Sequence, residues 1–170
     1  MPPVRPCPPP TNALLTKYAD SGGYTDCFAT DIARSVSHAE FVEAFYTGRL
    51  FKIERLLLSV FLSKPSTDLQ TRQLAAGELN AFAAWRVEAR ADDQLLLCAI
   101  DGRTRSWLMV SAAEVPGGTR LYFGSALLPV ANASTGKGGK PKMGFVFKAL
   151  LGLHNRYSRG LLNSAARRLS

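Results

Sequence analysis

The alternation of apolar and polar positions changes period along this chain, and each change marks an element. Residues 24–32 (Y-T-D-C-F-A-T-D-I) are strand formers between Gly23 and a turn at 35–38, which predicts a β-strand. The spacing then lengthens: Ser37 followed by Glu40 reads as a capping box, opening a helix that runs to Gly48. A second helix is expected over 50–63, stopping before Lys64-Pro65. A third covers about 67–79, with Ser66 or Thr67 as its cap and Gly77 as a point of interruption. Four β-like runs follow at 82–90, 94–100, 104–113 and 119–128, separated by Ala91-Asp92-Asp93, Asp101-Gly102-Arg103 and Pro116-Gly117-Gly118. These separators predict one antiparallel meander. Along its first run Ala83, Trp85, Val87 and Ala89 should share a face, with Arg86, Glu88 and Arg90 on the other.

Residues 131–144 (A-N-A-S-T-G-K-G-G-K-P-K-M-G) carry no core-forming pattern and read as a flexible loop, with 136–142 its most mobile and exposed part. After them the helical period returns over 147–170. Phe147, Leu150, Leu151, Leu161 and Ala165 fall on one side, while Lys148, Arg156, Arg159, Asn163 and Arg167 take the other. His154 and Ser158 lie in the middle of the apolar side, one turn apart.

The order of elements gives the fold class. It is α+β: a curved antiparallel sheet of about five strands packed on a long C-terminal helix, with helices inserted between the first strand and the meander. Residues 1–23 form a proline-rich arm, expected to be poorly ordered at its start, with a short helix over 11–19; residues 24–170 form one domain.

Composition narrows the chemistry. The 170 residues are 46% hydrophobic and 20% charged, as in an ordinary globular domain. The longest apolar run, 56–62, is broken by Ser59 and falls short of the ~20 residues a membrane-spanning helix needs. Three cysteines, Cys7, Cys27 and Cys98, stand at no metal-ligand spacing, and the odd number favours a reduced, cytoplasmic chain in which Cys27 and Cys98 serve as small core hydrophobes. Two histidines, His38 and His154, are not at ligand spacing either, so no metal and no cofactor is expected.

The net charge of +8 is one-sided: Glu114 is the last acidic residue, and nine lysines and arginines follow it. Lys137, Lys140, Lys142, Lys148, Arg156 and Arg159 thus make a candidate surface for an anionic lipid face or an acidic partner. The stretch G-K-G-G-K-P-K lacks the spacing of a phosphate-binding loop, and no recognition-helix or aromatic signature accompanies the basic residues, which disfavours nucleotide and nucleic acid.

Two stretches, A-D-D-Q-L-L-L-C-A-I-D-G-R-T-R-S-W-L-M-V and L-G-L-H-N-R-Y-S-R-G-L-L, together with the order of elements over about 24–168, resemble the START-like helix-grip superfamily, the lipid-transfer and polyketide-cyclase relatives. The likeness is to bacterial members of that superfamily. It implies a cavity between sheet and C-terminal helix that holds an apolar or amphipathic small molecule. The five strands counted here fall short of the six or seven common there.

Within that frame the candidate ligand-binding residues are His154, Ser158, Trp85, Trp107, Glu54 and Tyr157. A histidine facing a cavity can act as acid, base or hydrogen-bond partner; held in a core, it is satisfied by Ser158 or a carbonyl. Glu54 shares a helix face with Leu50, Ile53, Leu57 and Phe61, where a carboxylate needs a partner. Trp85 and Trp107 supply large apolar walls with one donor each, and one of them is expected opposite His154. A serine nucleophile would also need an orienting acid and an oxyanion site, which the sequence does not indicate. Asp26 and Asp31 lie on opposite sides of the first strand and cannot act as a pair. The remaining reading is an interaction module that docks through its basic C-terminal face.

Overall fold

The computed structural model describes residues 3–20, 24–48, 50–51, 66–128 and 145–170, with the side chains of Asp20 and of 145–151 excepted. The expected helix over 50–63 beyond Phe51, with Glu54, and the loop 131–144, with Lys137, Lys140 and Lys142, lie outside the described residues.

Nine elements besides the two short edge strands are formed by the described residues: α1 (Thr16–Asp20), β2 (Tyr24–Ile32), α2 (His38–Tyr46), α3 (Asp68–Ala75), β4 (Trp85–Ala91), β5 (Gln94–Ala99), β6 (Thr104–Ala112), β7 (Thr119–Leu127) and α4 (Phe145–Leu169). The edge strands are β1 (Arg5–Pro6) and β3 (Ala81–Phe82). Every strand pair is antiparallel, in the order β1-β2-β7-β6-β5-β4-β3. The fold is therefore α+β, with an uncurled sheet and a C-terminal helix. It has seven strands rather than five, because two two-residue strands pair at the edges, too short to leave any alternation in the sequence.

Helix ends follow local chemistry. Ser37 caps α2 and Thr67 caps α3, each in a reciprocal box with Glu40 and Gln70. α3 stops at Ala76, where Gly77 takes φ +83°, a left-handed conformation that suits glycine. The helix expected over 11–19 is confined to α1.

The sheet is covered on both faces. On one, α2 and α4 bury Phe41, Phe45, Leu161, Leu162 and Ala165 against Phe28, Leu95, Leu108, Leu121 and Phe123. On the other, Ala13, Leu15 and Tyr18 of the N-terminal arm pack on Cys27, Leu96, Trp107 and Met109. The arm is thus a packed layer, not a loose tail. Buried Gln94 pins it, accepting from Leu14 N and Trp107 Nε1 at 2.9 Å each and donating to Asn12 O at 3.0 Å. Glu88 adds a second anchor: it accepts from Lys17 Nζ at 2.7 Å, from Arg105 Nε at 2.9 Å, and from the Tyr18 hydroxyl.

Gly124 is what lets the arm come so close. A Cβ there would stand 2.7 Å from Leu15 Cδ2, 2.8 Å from the Asp26 carbonyl oxygen and 3.0 Å from Trp107 Cε3. Leu15 can swing aside, but the carbonyl belongs to the neighbouring strand and cannot. Gly124→Ala is expected to cost about 1–3 kcal/mol, read as a lowered midpoint in thermal unfolding.

One expectation about strand faces is overturned. Between Val87 and Ala89 the register with β5 shifts by a bulge. Trp85 and Val87 therefore keep to the helix-covered side while Ala89 joins the arm side, and Arg90 lies beside the start of α2, with Nη2 buried.

Candidate functional site

The helix-covered face of the sheet is largely apolar, with buried Thr30 and Thr119 towards one end and a polar stripe across three strands. Asp26 of β2 pairs with Ser125 of β7, and Ser125 pairs with Ser106 of β6, so three polar side chains stand in a row across three strands. On one side of this row the next residues inward are Phe28, Phe123 and Leu108, all in the main core. On the other side come Tyr24, Leu127 and Thr104, which are only half-buried.

The helices meet the stripe with polar groups of their own. His154 of α4 brings Nε2 to 3.0 Å from Asp26 Oδ2 and 2.9 Å from Ser125 Oγ. Ser158, fully buried one turn on, stands 3.5 Å from the same nitrogen. Tyr46 of α2 shares a 3.2 Å hydrogen bond with Ser106. Tyr24 donates to Asn155 Oδ1 at 3.1 Å, and burial raises its phenol above the ordinary value. The Asp26 side chain is 8% exposed and that of His154 is 37% exposed, so the carboxylate is sealed while the ring reaches the margin.

Proton positions follow from counting donors. Asp26 Oδ1 accepts from Ser125 N at 2.9 Å and from Ser125 Oγ at 2.7 Å. Ser125 has thereby used its one proton, so towards His154 it can only accept. The imidazole proton then sits on Nε2, shared between Ser125 Oγ and Asp26 Oδ2. Nδ1 is left for another group.

This arrangement is not a nucleophilic triad. In a triad the acid and the serine use different ring nitrogens, and the serine proton goes to the ring. Here both use Nε2, and the serine proton goes to the carboxylate. The cluster instead holds an imidazole rigidly by one edge and presents the other, which suits hydrogen bonding to a ligand or a proton held at Nδ1.

A groove of about 430 Å³ runs along the outer edge of β2, lined by the arm at Pro6, Cys7 and Pro8 and by Asp26, Asn155 and Arg159. It approaches the stripe from the side.

The expected site residues separate as follows. His154 and Ser158 come together, and Tyr157 packs half-buried against the main core. Trp107 does not join them. It lies wholly buried on the arm face of the sheet, because its register partner is Gly124 and the alternation puts it opposite to Ser106 and Leu108. Trp85 is on the helix-covered face but on β4, three strand steps or about 14 Å from the β7 row. Neither tryptophan walls His154.

Among the basic residues, Arg156 is exposed, whereas Arg159 donates to Val4 O at 3.2 Å and lies over the Phe28 ring. The side chain of Lys148 is outside the described residues. Asp31 faces the arm side and forms a two-pronged pair with Arg120 at 2.7 and 2.8 Å; that hydrogen-bonded guanidinium holds its carboxyl below the ordinary range.

Asp26 and Ser125 are the residues that sequence reasoning missed. The signal was present: Asp26 shares its parity with Phe28 and Ile32, and Ser125 shares its parity with Leu121 and Phe123, so each is a polar group on a core-facing row.

No family model and no curated protein sequence matches the chain. Among the described residues no helix is long and apolar enough to cross a membrane, and no group of three or more His, Cys, Asp or Glu is gathered as a metal site.

Proposed function

We propose that the protein binds an amphipathic small molecule between the sheet and α4, in the manner of the START-like helix-grip superfamily, with the polar end of the ligand at His154. The observation that carries this reading is the Asp26–Ser125–His154 cluster, standing where the packed core stops and the half-buried face of Tyr24, Leu127 and Thr104 begins. A buried carboxylate is costly to keep unless it is hydrogen-bonded, and here its bonds fix the imidazole that would meet the ligand.

In the tautomer with its proton on Nε2, the ring of His154 accepts at Nδ1. The ligand it suits therefore carries a hydroxyl or another donor on an apolar body. The seam from Leu161 to Leu169 is filled by side chains, so the apolar body extends towards the Tyr24 and Leu127 end of the sheet. A cytoplasmic setting belongs to the same proposal.

Straight-chain fatty alcohols test it. Dodecanol is expected to raise the unfolding midpoint at low and high salt alike, since apolar burial is not screened. His154→Ala should weaken dodecanol binding about tenfold, the loss of one good hydrogen bond, with a modest fall in stability. Unchanged binding beside a large stability loss would make the cluster purely structural. Salt-sensitive binding to phosphatidylserine vesicles with no alcohol binding would favour docking through the basic face instead.

A further inference from the structure

The N-terminal arm carries a chemical feature that owes nothing to the ligand reading. β1 pairs with β2 through Arg5 opposite Ala29 and Pro6 opposite Phe28, and the ladder continues with Cys7 N donating to Cys27 O at 3.0 Å. The two cysteines are therefore directly opposed on neighbouring strands, with their sulfurs 3.5 Å apart. A disulfide needs about 2.05 Å between sulfurs and its β-carbons about 3.8 Å apart. The remaining approach is of the size that side-chain rotation and a small shift of an edge strand supply. Pro6, Pro8, Pro9 and Pro10 flank Cys7 and fix φ along the arm, so few alternative paths draw the thiols apart.

The pair is asymmetric in a useful way. Both line the 430 Å³ groove, but Cys7 is half-buried whereas Cys27 is buried. A hydrogen bond from Cys27, aided by the charge of Arg120, lowers the Cys7 thiol from its ordinary value, while the same contact and burial push Cys27 up. Cys98 is buried elsewhere, with Sγ 3.3 Å from the Ala99 carbonyl oxygen.

We propose that Cys7 and Cys27 are a thiol–disulfide exchange site, oxidised by low-molecular-weight disulfides to a bond that fastens the arm to the sheet. Cys7 thiolate attacks one sulfur of R–S–S–R, forming Cys7–S–S–R and expelling one R–S⁻. Cys27, losing its proton, then attacks the Cys7 sulfur and expels the second R–S⁻. In balance, two thiols and one R–S–S–R give one protein disulfide and two R–SH, with two electrons passed to the small disulfide. The closed loop includes Leu15 and Tyr18, the residues that cover Trp107, so oxidation locks the arm layer and one wall of the groove.

The test uses the full chain incubated with oxidised and reduced glutathione at fixed ratios. Maleimide-reactive thiols, counted after denaturation, should fall from three to one per chain, with Cys98 the survivor, a mass loss of about 2 Da and a higher unfolding midpoint that dithiothreitol reverses. Cys27→Ala should stop at a single glutathione adduct on Cys7, and Cys7→Ser should give neither adduct nor internal bond. Because Cys7 is only half-buried, the second variant keeps the test sound should the first fold poorly. Three reactive thiols persisting in excess oxidised glutathione, or a disulfide joining two chains, would overturn the proposal.

Discussion

Trp107→Ala is expected to destabilise the fold by about 3–5 kcal/mol while leaving dodecanol binding at His154 intact. Trp107 is fully buried, and its indole is surrounded by Leu15, Leu96, Cys27 and Tyr122 on the arm side of the sheet. Truncation would open a large cavity under the arm and remove the Nε1 hydrogen bond to Gln94, which also holds Leu14 and Asn12. The damage should therefore be local in a readable way: amide exchange at Leu14 should quicken before exchange in β6 and β7. Trp107→Phe keeps most of the volume and loses the donor, and should cost about 1 kcal/mol. A Trp107→Ala protein of normal stability that no longer binds the alcohol would put the indole back in a ligand site and refute the two-faced architecture.

How much of this was legible in the sequence depends on which face a residue's neighbours occupy. Alternation along β6 puts Trp107 and Leu108 on opposite faces, yet nothing in alternation says which face the C-terminal helix will cover. The clue lay in the run Leu95-Leu96-Leu97-Cys98, where both parities are apolar: a strand written that way is covered on both sides. Such a run demands a second layer, and the proline-rich arm was the segment left to provide it. The bulge at Glu88 was less accessible. It costs no glycine and leaves no turn residue, and it is settled by the fit of Glu88 to Lys17, Tyr18 and Arg105, which come from distant parts of the chain.

The candidate site shows the same division. His154 and Ser158 were visible because they interrupt a helical stripe, and helix periodicity places both on one face whatever else the chain does. Their partners were read singly. Asp26 was weighed against Asp31, its neighbour in sequence, when the residues that matter to it are the hydroxyl opposite on β7 and the imidazole on α4. Register made that constellation, and register between β2 and β7, about a hundred residues apart in sequence, is a long-range property. Cys7 and Cys27 are a further case, brought face to face by an edge strand of two residues.

Acid is expected to weaken the fold well before its carboxylates titrate, because of His38. The residue opens α2 yet is buried, and among the described residues its Nε2 has no hydrogen-bond partner, nor does Nη2 of Arg90 nearby. Both side chains line a groove of about 420 Å³ between α2, α3 and β4. Burial drives the imidazole from 6.5 down to about 4, with the charge of Arg90 adding to the effect, while a hydrogen bond with the Leu108 backbone and the charge of Asp93 oppose it.

The sign follows directly. The unfolded chain takes up this proton as pH falls through 6.5, whereas the folded chain refuses it until about 4, so the unfolded state binds more protons throughout that window. Stability is then full above 6.5 and declines towards 4, by about 2 kcal/mol at pH 5 and about 3 kcal/mol at pH 4. Asp31 and Glu88, whose carboxyls are held below their ordinary range by their cationic partners, are still ionised at pH 5 and contribute little there. Urea unfolding at pH 7 and pH 5 reads the difference, with His38→Gln as the non-titrating comparison. The variant loses some stability at pH 7 but should show a much smaller drop between the two pH values, and an equal drop in both proteins would mean that His38 takes its proton in the folded state as readily as in the unfolded one.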